Sequence, residues 1–263
     1  MKTWVVLYVK EWKDSRYLLA CLVIVLFALE IFGWYHFDPD LARSKEGGWQ
    51  FLPFIFGFVT CFVGPPFLLA RSFSSEWRSE THYQWFSLPV NRWMTVLCKY
   101  AVALSNGLIL YMIAGGSAIV LLVSFLKRDG KWAVLMAKLP SITFGDGCNL
   151  IIDFFVVFCL PVLFYLLFLL SIVTVMEGVK FSVRRFQGLA ALASFGGTIY
   201  FYARFYKMIV GWLSFLGKYD TAAFWAEGSM KDIMDLAQLA YPFLAATVLL
   251  IVGLWLFEKR VEI

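Results

Sequence analysis

Six long apolar runs separated by short polar segments set the pattern of the chain. They cover Tyr17–Trp34, Phe51–Ala70, Tyr100–Leu126, Leu150–Met176, Gly188–Tyr206 and Leu239–Phe257. Each approaches the roughly 20 mostly apolar residues that a helix needs to cross a bilayer, so the pattern predicts six transmembrane helices. The fifth run is the weakest. Arg204 and Lys207 interrupt it, and it can end there with Met208–Leu216 lying in the interface. Ahead of the first run, Met1, Trp4, Val5, Tyr8, Val9 and Trp12 recur at helical spacing, while Lys2, Lys10, Glu11, Lys13 and Asp14 are polar. That spacing predicts an amphipathic interfacial helix over residues 1–16, with Trp4, Tyr8 and Trp12 on its apolar stripe. Aromatic and apolar residues within Lys127–Asn149 and Met208–Gln238 predict short helices that dip into the outer leaflet.

Composition narrows the class further. The chain is 61% hydrophobic and 16% charged with a mean hydropathy of +0.76, whereas soluble domains are about 45–50% apolar and about 25% charged. One aqueous core cannot bury that excess, so the fold class is all-α and polytopic, with residues 1–263 as one membrane domain. The net charge of +5 comes from 23 Lys+Arg against 18 Asp+Glu. These cations sit between apolar runs, where they face lipid headgroups; nucleic acid is not an expected partner. With the N-terminus inside, segments 1–16, 71–99, 177–187 and 258–263 hold thirteen of the twenty-three cations. This bias predicts that both termini are cytoplasmic. The five cysteines are scattered through apolar runs and form neither a disulfide framework nor a metal-binding pair. Glu11 and Asp14 in the leader, with no small-residue cleavage site after the first run, argue against a cleavable signal.

Little soluble-enzyme chemistry is available. Two histidines, His36 and His82, cannot supply a His-based metal site or triad. Gly130-Lys131 is followed by Trp132 and Gly217-Lys218 by Tyr219, so no phosphate-binding P-loop is present. The expectation is no catalytic residue, no metal site and no cofactor on this chain. Four charges, Glu30, Asp153, Arg204 and Lys207, lie in or near spans. Glu30 falls about 20 Å along the first span from Tyr17, near the outer interface, where a place on a substrate path competes with snorkelling or outer-leaflet pairing. Pro65-Pro66 is expected to break the second span late, and Gly115-Gly116 and Gly196-Gly197 to permit close helix approach.

The longest inner segment, 71–99, carries a denser signal. Glu76–Phe86 can form a short helix with exposed aromatics, Pro89 ends it, and a new helix starts near Asn91. Glu76, Thr81, Leu88, Pro89, Val90, Arg92 and Lys99 match in kind and spacing the inner-loop pattern of the ABC-2 type transporter permeases, which the chain resembles. Glu80 stands where that family usually has Gly, and Asn91 where it usually has Ser. Lys10-Glu11 is similar to the family's start, as are the span count and the long final outer segment.

The resemblance implies a membrane subunit of an ABC exporter. It would pair with a second identical or homologous permease and dock a separate ATP-binding subunit, which alone would bind ATP and Mg. Residues 71–99 would be the coupling loop, with Glu76, Glu80, Tyr83, Trp85, Phe86, Leu88, Pro89 and Arg92 touching that ATPase. The leader would be a surface connecting helix, and short re-entrant helices would follow span five. The setting would be a bacterial plasma membrane, and the cargo an amphiphile such as a lipid, peptide, antibiotic or polysaccharide. A non-transporting immunity or sensor subunit, a secondary transporter and an intramembrane enzyme are the alternatives. The last two would want charges or catalytic clusters near the midplane.

Overall fold

The computed structural model describes residues 2–36, 51–78, 91–128, 152–183, 185–221 and 230–259. Among them the chain is nearly all helical. Helix α1 is Lys2–His36, α2 is Leu52–Arg78, and α3 is Arg92–Arg128. Helix α4, Leu160–Ser182, follows a π-helical segment, Phe155–Cys159. Helix α5, Gln187–Leu213, tightens into one 3-10 turn at Ser214–Leu216. Strands β1, Lys218–Thr221, and β2, Met230–Asp235, pair antiparallel before α6, Leu236–Lys259. Five helices are long and apolar enough to cross a membrane: α1, α2, α3, the helix from Ile152 through α4, and α6. Their length and composition make this a multi-pass membrane protein.

The separate leader helix expected at residues 1–16 is instead the first half of α1, which runs unbroken for 35 residues. No glycine or proline lies between Lys2 and Phe32, so nothing in the backbone ends the helix near residue 16. At about 1.5 Å per residue α1 is roughly 52 Å long, well beyond the ~30 Å hydrocarbon core. The expected break at Pro65-Pro66 is also absent, because α2 continues through both prolines. In the fourth helix, Pro161 has no N–H for the carbonyl of Val157, and the ladder slips by one residue. Leu160 N–H accordingly bonds to Phe155 O, the π pattern.

Helix α5 does not stop at Tyr206 but carries Arg204 and Lys207 exposed on its surface as far as Leu213. Beyond it, the described residues form the strand pair rather than short re-entrant helices. Gly217 takes φ of 73°, open to glycine without strain, and turns the chain out of the helix. Lys218 then pairs with Asp235 and Tyr219 with Met234. Asp235 Oδ1 accepts the Ala237 N–H and caps α6. The helix suggested around Trp132–Lys138 lies outside the described residues.

Two three-helix halves make the bundle. Helix α1 packs on α2 and α3, α4 packs on α5 and chiefly on α6, and α2 and α3 join the halves through α4. The main core brings together Leu69 and Phe73 of α2, Tyr100 of α3, Leu170 and Phe181 of α4, and Phe257 of α6. Close approach depends on glycines other than the expected pairs. A Cβ on Gly107 would lie 2.7 Å from Leu166 Cδ2 and 2.9 Å from Pro65 Cγ, and one on Gly253 would lie 2.9 Å from Thr174 Cγ2. Gly115, Gly116, Gly196 and Gly197 face open space.

Contacts also place several chain ends together. Trp4 O lies near Cys98 Sγ, Trp77 stacks on Phe181, and Phe73 stacks on Phe257. The start of α1, the end of α2, the start of α3 and the ends of α4 and α6 therefore share one end of the bundle, called here the Lys99 end.

Candidate functional site

Helix α1 presents one long buried stripe through Leu7, Glu11, Leu19, Leu26, Glu30 and Gly33, in steps that add to whole helical turns. Two carboxylates interrupt this otherwise apolar face. Glu11 and Glu30 are nineteen residues apart, or about 28 Å along the helix, close to the thickness of the hydrocarbon core. Each border of the bilayer can therefore hold one of them. Both are buried against neighbouring helices rather than extended into solvent.

At the Lys99 end, Glu11 belongs to a charge network. The Lys99 ammonium has 0% side-chain exposure and lies 2.6 Å from Glu11 Oε2 and 2.9 Å from Glu76 Oε2. It also donates to Ser72 Oγ at 2.8 Å, and Ser72 in turn donates to Glu11 Oε2 at 3.1 Å. The ammonium thus faces three oxygens from α1 and α2, hydrogen-bonded to Glu11 and Ser72 and ion-paired with Glu76. Such satisfaction is needed, because an ion removed from water without partners costs several kcal/mol. Lys10, on the exposed side, stands 3.6 Å from Glu76 Oε1.

The surroundings hold these helices in register. Tyr8 donates to Ser105 Oγ of α3 at 2.8 Å and stacks with Trp12 at 6.2 Å. Cys98 Sγ lies 3.9 Å from Trp4 O. Of the leader stripe Trp4, Tyr8 and Trp12, the tyrosine is thereby fixed on protein rather than lipid. On the other flank, Lys180 of α4 pairs with Glu177 at 2.8 Å and donates to Ser74 of α2 at 3.1 Å. The Trp77 and Phe181 rings stack 4.0 Å apart. These contacts fix the end of α2 against α4.

Of the residues expected to form the coupling loop, Glu76 sits in the network and Arg92 opens α3. Glu80, Tyr83, Trp85, Phe86, Leu88 and Pro89 lie outside the described residues. The segment 71–99 is shorter as a loop than its expected bounds, since residues 71–78 still belong to α2 and 92–99 already belong to α3. Lys99, expected at the edge of an exposed loop, is the buried centre of the network.

At the opposite end, Glu30 accepts the Ser117 hydroxyl at 2.9 Å. It is tied to α3 and does not snorkel. Asp153 accepts the Tyr219 hydroxyl at 2.8 Å and so latches β1 to the start of the fourth span. That hydrogen bond holds the phenol proton and keeps Tyr219 ionisation above its ordinary value. Asn106 and Glu177 are buried polar residues and Ser72 a half-buried one, and none of the three is among the residues expected to carry function; Asn106 alone lies within an apolar run.

Chemically, the network can position helices and respond to their movement. It carries no paired nucleophile and base. Among the described residues, no group of three His, Cys, Asp or Glu side chains is placed to hold a metal. No family model, curated protein or solved structure matches the chain.

Proposed function

We propose that this chain is the membrane permease subunit of an ATP-driven exporter, coupled to a separate ATP-binding subunit through residues 79–91. The observation that carries the reading is the network of Lys10, Glu11, Glu76 and Lys99. These residues come from three places in the sequence, and all belong to the pattern by which the chain resembles the ABC-2 permeases. In the fold they form one cluster. It clamps the helix entering the loop to the helix leaving it, and both to α1. A push on the loop would then pass to three spans at once rather than being lost in a loose hinge.

Helix α5 completes the six-span reading. Its 27 residues give about 40 Å, enough to cross ~30 Å of hydrocarbon. Arg204 and Lys207 lie late in it, where long side chains can reach a headgroup layer. The grouped helix ends at the Lys99 end agree with cytoplasmic N- and C-termini, as the cation bias expects. A second permease copy, and an amphiphilic cargo at the interface between copies, complete the proposed assembly.

The test is affinity purification of the tagged chain from its native membrane in mild detergent, followed by photolabelling with an azido-ATP. A separate nucleotide-labelled chain should copurify in stoichiometric amount. Purification of the intact chain with no nucleotide-binding partner would exclude the reading.

A further inference from the structure

Two cavities meet at the charge network. The larger, about 70 Å³, is lined by Glu11, Ser15, Ser72 and Lys99 and rimmed by exposed Asp14, Arg71 and Ser75. The smaller, about 20 Å³, shares Glu11, Ser15, Leu68, Ser72 and Lys99 with it and ends on Asn106. Asn106 is seven residues deeper along α3 than Lys99, or about 10 Å into the span.

Two buried acceptors line this deeper part. Glu11, 4% exposed, has Oε1 without a protein hydrogen-bond partner, and Asn106, 0% exposed, has Oδ1 in the same condition. The orientation of the Asn106 amide follows from its neighbour. Ser15 already donates its hydroxyl proton to Trp12 O at 3.1 Å, so towards Asn106 it can only accept. With its proton on Trp12 O, Ser15 accepts the amide NH2 at 3.3 Å, and Oδ1 is turned elsewhere.

An occupant has to donate hydrogen bonds to both acceptors. An anion offers none. A metal cation bound to Glu11 would sit beside the Lys99 ammonium, which already lies 2.6 Å from the same carboxylate, and the like charges would repel. A neutral donor meets neither objection. A water needs roughly 10–15 Å³ and two to four polar partners; the smaller cavity has about 20 Å³ and, within a mostly apolar wall, the free oxygens of Glu11 and Asn106.

We propose that the two cavities form one water-filled inlet, open at the Lys99 end. It closes beyond Asn106 on the apolar layer of Leu19, Leu26, Cys61, Leu110 and Ala114. Its innermost water is held by Glu11 and Asn106. Water here gives Glu11 and Lys99 substitute partners when the helices shift, so the network can open without stranding a dry charge. The inlet requires only that the chain spans a membrane and is independent of any ATPase.

The experiment uses the full chain in vesicles with its five native cysteines replaced by serine or alanine. Single variants Ser15→Cys, Leu110→Cys and Trp93→Cys are exposed to a small polar methanethiosulfonate, applied to the face carrying the N-terminus. Thiolate reactivity needs water and room for the reagent, so Ser15→Cys, on the larger cavity, should react at least about ten-fold faster than Leu110→Cys. A Ser15→Cys rate equal to that of Leu110→Cys, with Trp93→Cys reacting freely, would overturn the inlet. Asn106→Leu in the otherwise native chain supplies a second readout. With water present it strips Glu11 of its donor and lowers the melting temperature. In a dry cavity it removes a buried unpaired acceptor and raises the melting temperature, which would equally overturn the proposal.

Discussion

Lys99 Nζ and Glu11 Oε2 stand 2.6 Å apart in the bundle interior although 88 positions separate the two residues in the chain. Ser72 and Glu76 of α2 complete the contact, so one ammonium joins three helices. Its removal should be costly in a specific way. Lys99→Met leaves two buried carboxylates facing each other, and breaking a buried pair on one side costs about 3–5 kcal/mol. The loss should appear as a lower melting temperature in detergent. Adding Glu11→Gln to Lys99→Met should recover part of it, because one of the stranded charges is then gone. A Lys99→Met protein as stable as wild type would mean that the pair is not structural.

The unbroken α1 makes a geometric prediction. Val6 and Ile24 are both exposed on this helix and lie eighteen residues apart. Spin labels at Val6→Cys and Ile24→Cys should give a single distance near 27 Å, the rise of a continuous helix. A short or broad distribution would restore a hinged leader lying along the membrane.

Glycine packing gives a third test. Gly107→Val must displace Leu166 or Pro65, and overpacking of this kind typically costs about 1–3 kcal/mol. Gly57→Val adds the same side chain where nothing lies within 4 Å, and should leave thermal stability nearly unchanged. Equal effects at the two sites would contradict the α2–α3–α4 crossing.

Glu30 is buried at the far end of α1 and bound to Ser117. Glu30→Gln keeps an acceptor for that hydroxyl, so the protein should fold and insert normally. If Glu30 guards the outer end of a substrate path, this variant should change the range of amphiphiles exported. Unchanged export across several amphiphiles would leave Glu30 a structural anchor for α1 on α3.

Much of this architecture is legible in one dimension because a bilayer demands long apolar runs, and runs need no partner to be recognised. Five of the expected spans correspond to helices of sufficient length and apolarity, while α5, rich in Gly and Tyr, falls short of that mark. The boundary near residue 16 was misread because Lys10, Glu11, Lys13 and Asp14 suggest exit from the membrane. Glu11 in fact turns inward to a partner that lies 88 positions away. The same long-range dependence hid the site. Lys10, Glu11, Glu76 and Lys99 each belonged to a pattern in the sequence, but only the fold places them around one ammonium. The glycine pairs drew notice as doublets, whereas close approach is a property of two surfaces and falls on single glycines, Gly107 and Gly253. Asn106 carried the plainest unused signal, a lone amide within an apolar run.

If the network clamps a loop whose aromatics seat an ATP-binding subunit, as proposed, the purified chain should retain that subunit through those aromatics. Hot spots concentrate in aromatic and arginine side chains, and losing one worth about 2 kcal/mol weakens affinity roughly thirty-fold. Wild type and Glu30→Gln should retain a nucleotide-binding chain. Tyr83→Ala with Trp85→Ala, inserted in the membrane in normal amount, should lose most of it. Equal retention by the doubly substituted chain and the wild type would contradict coupling through this segment.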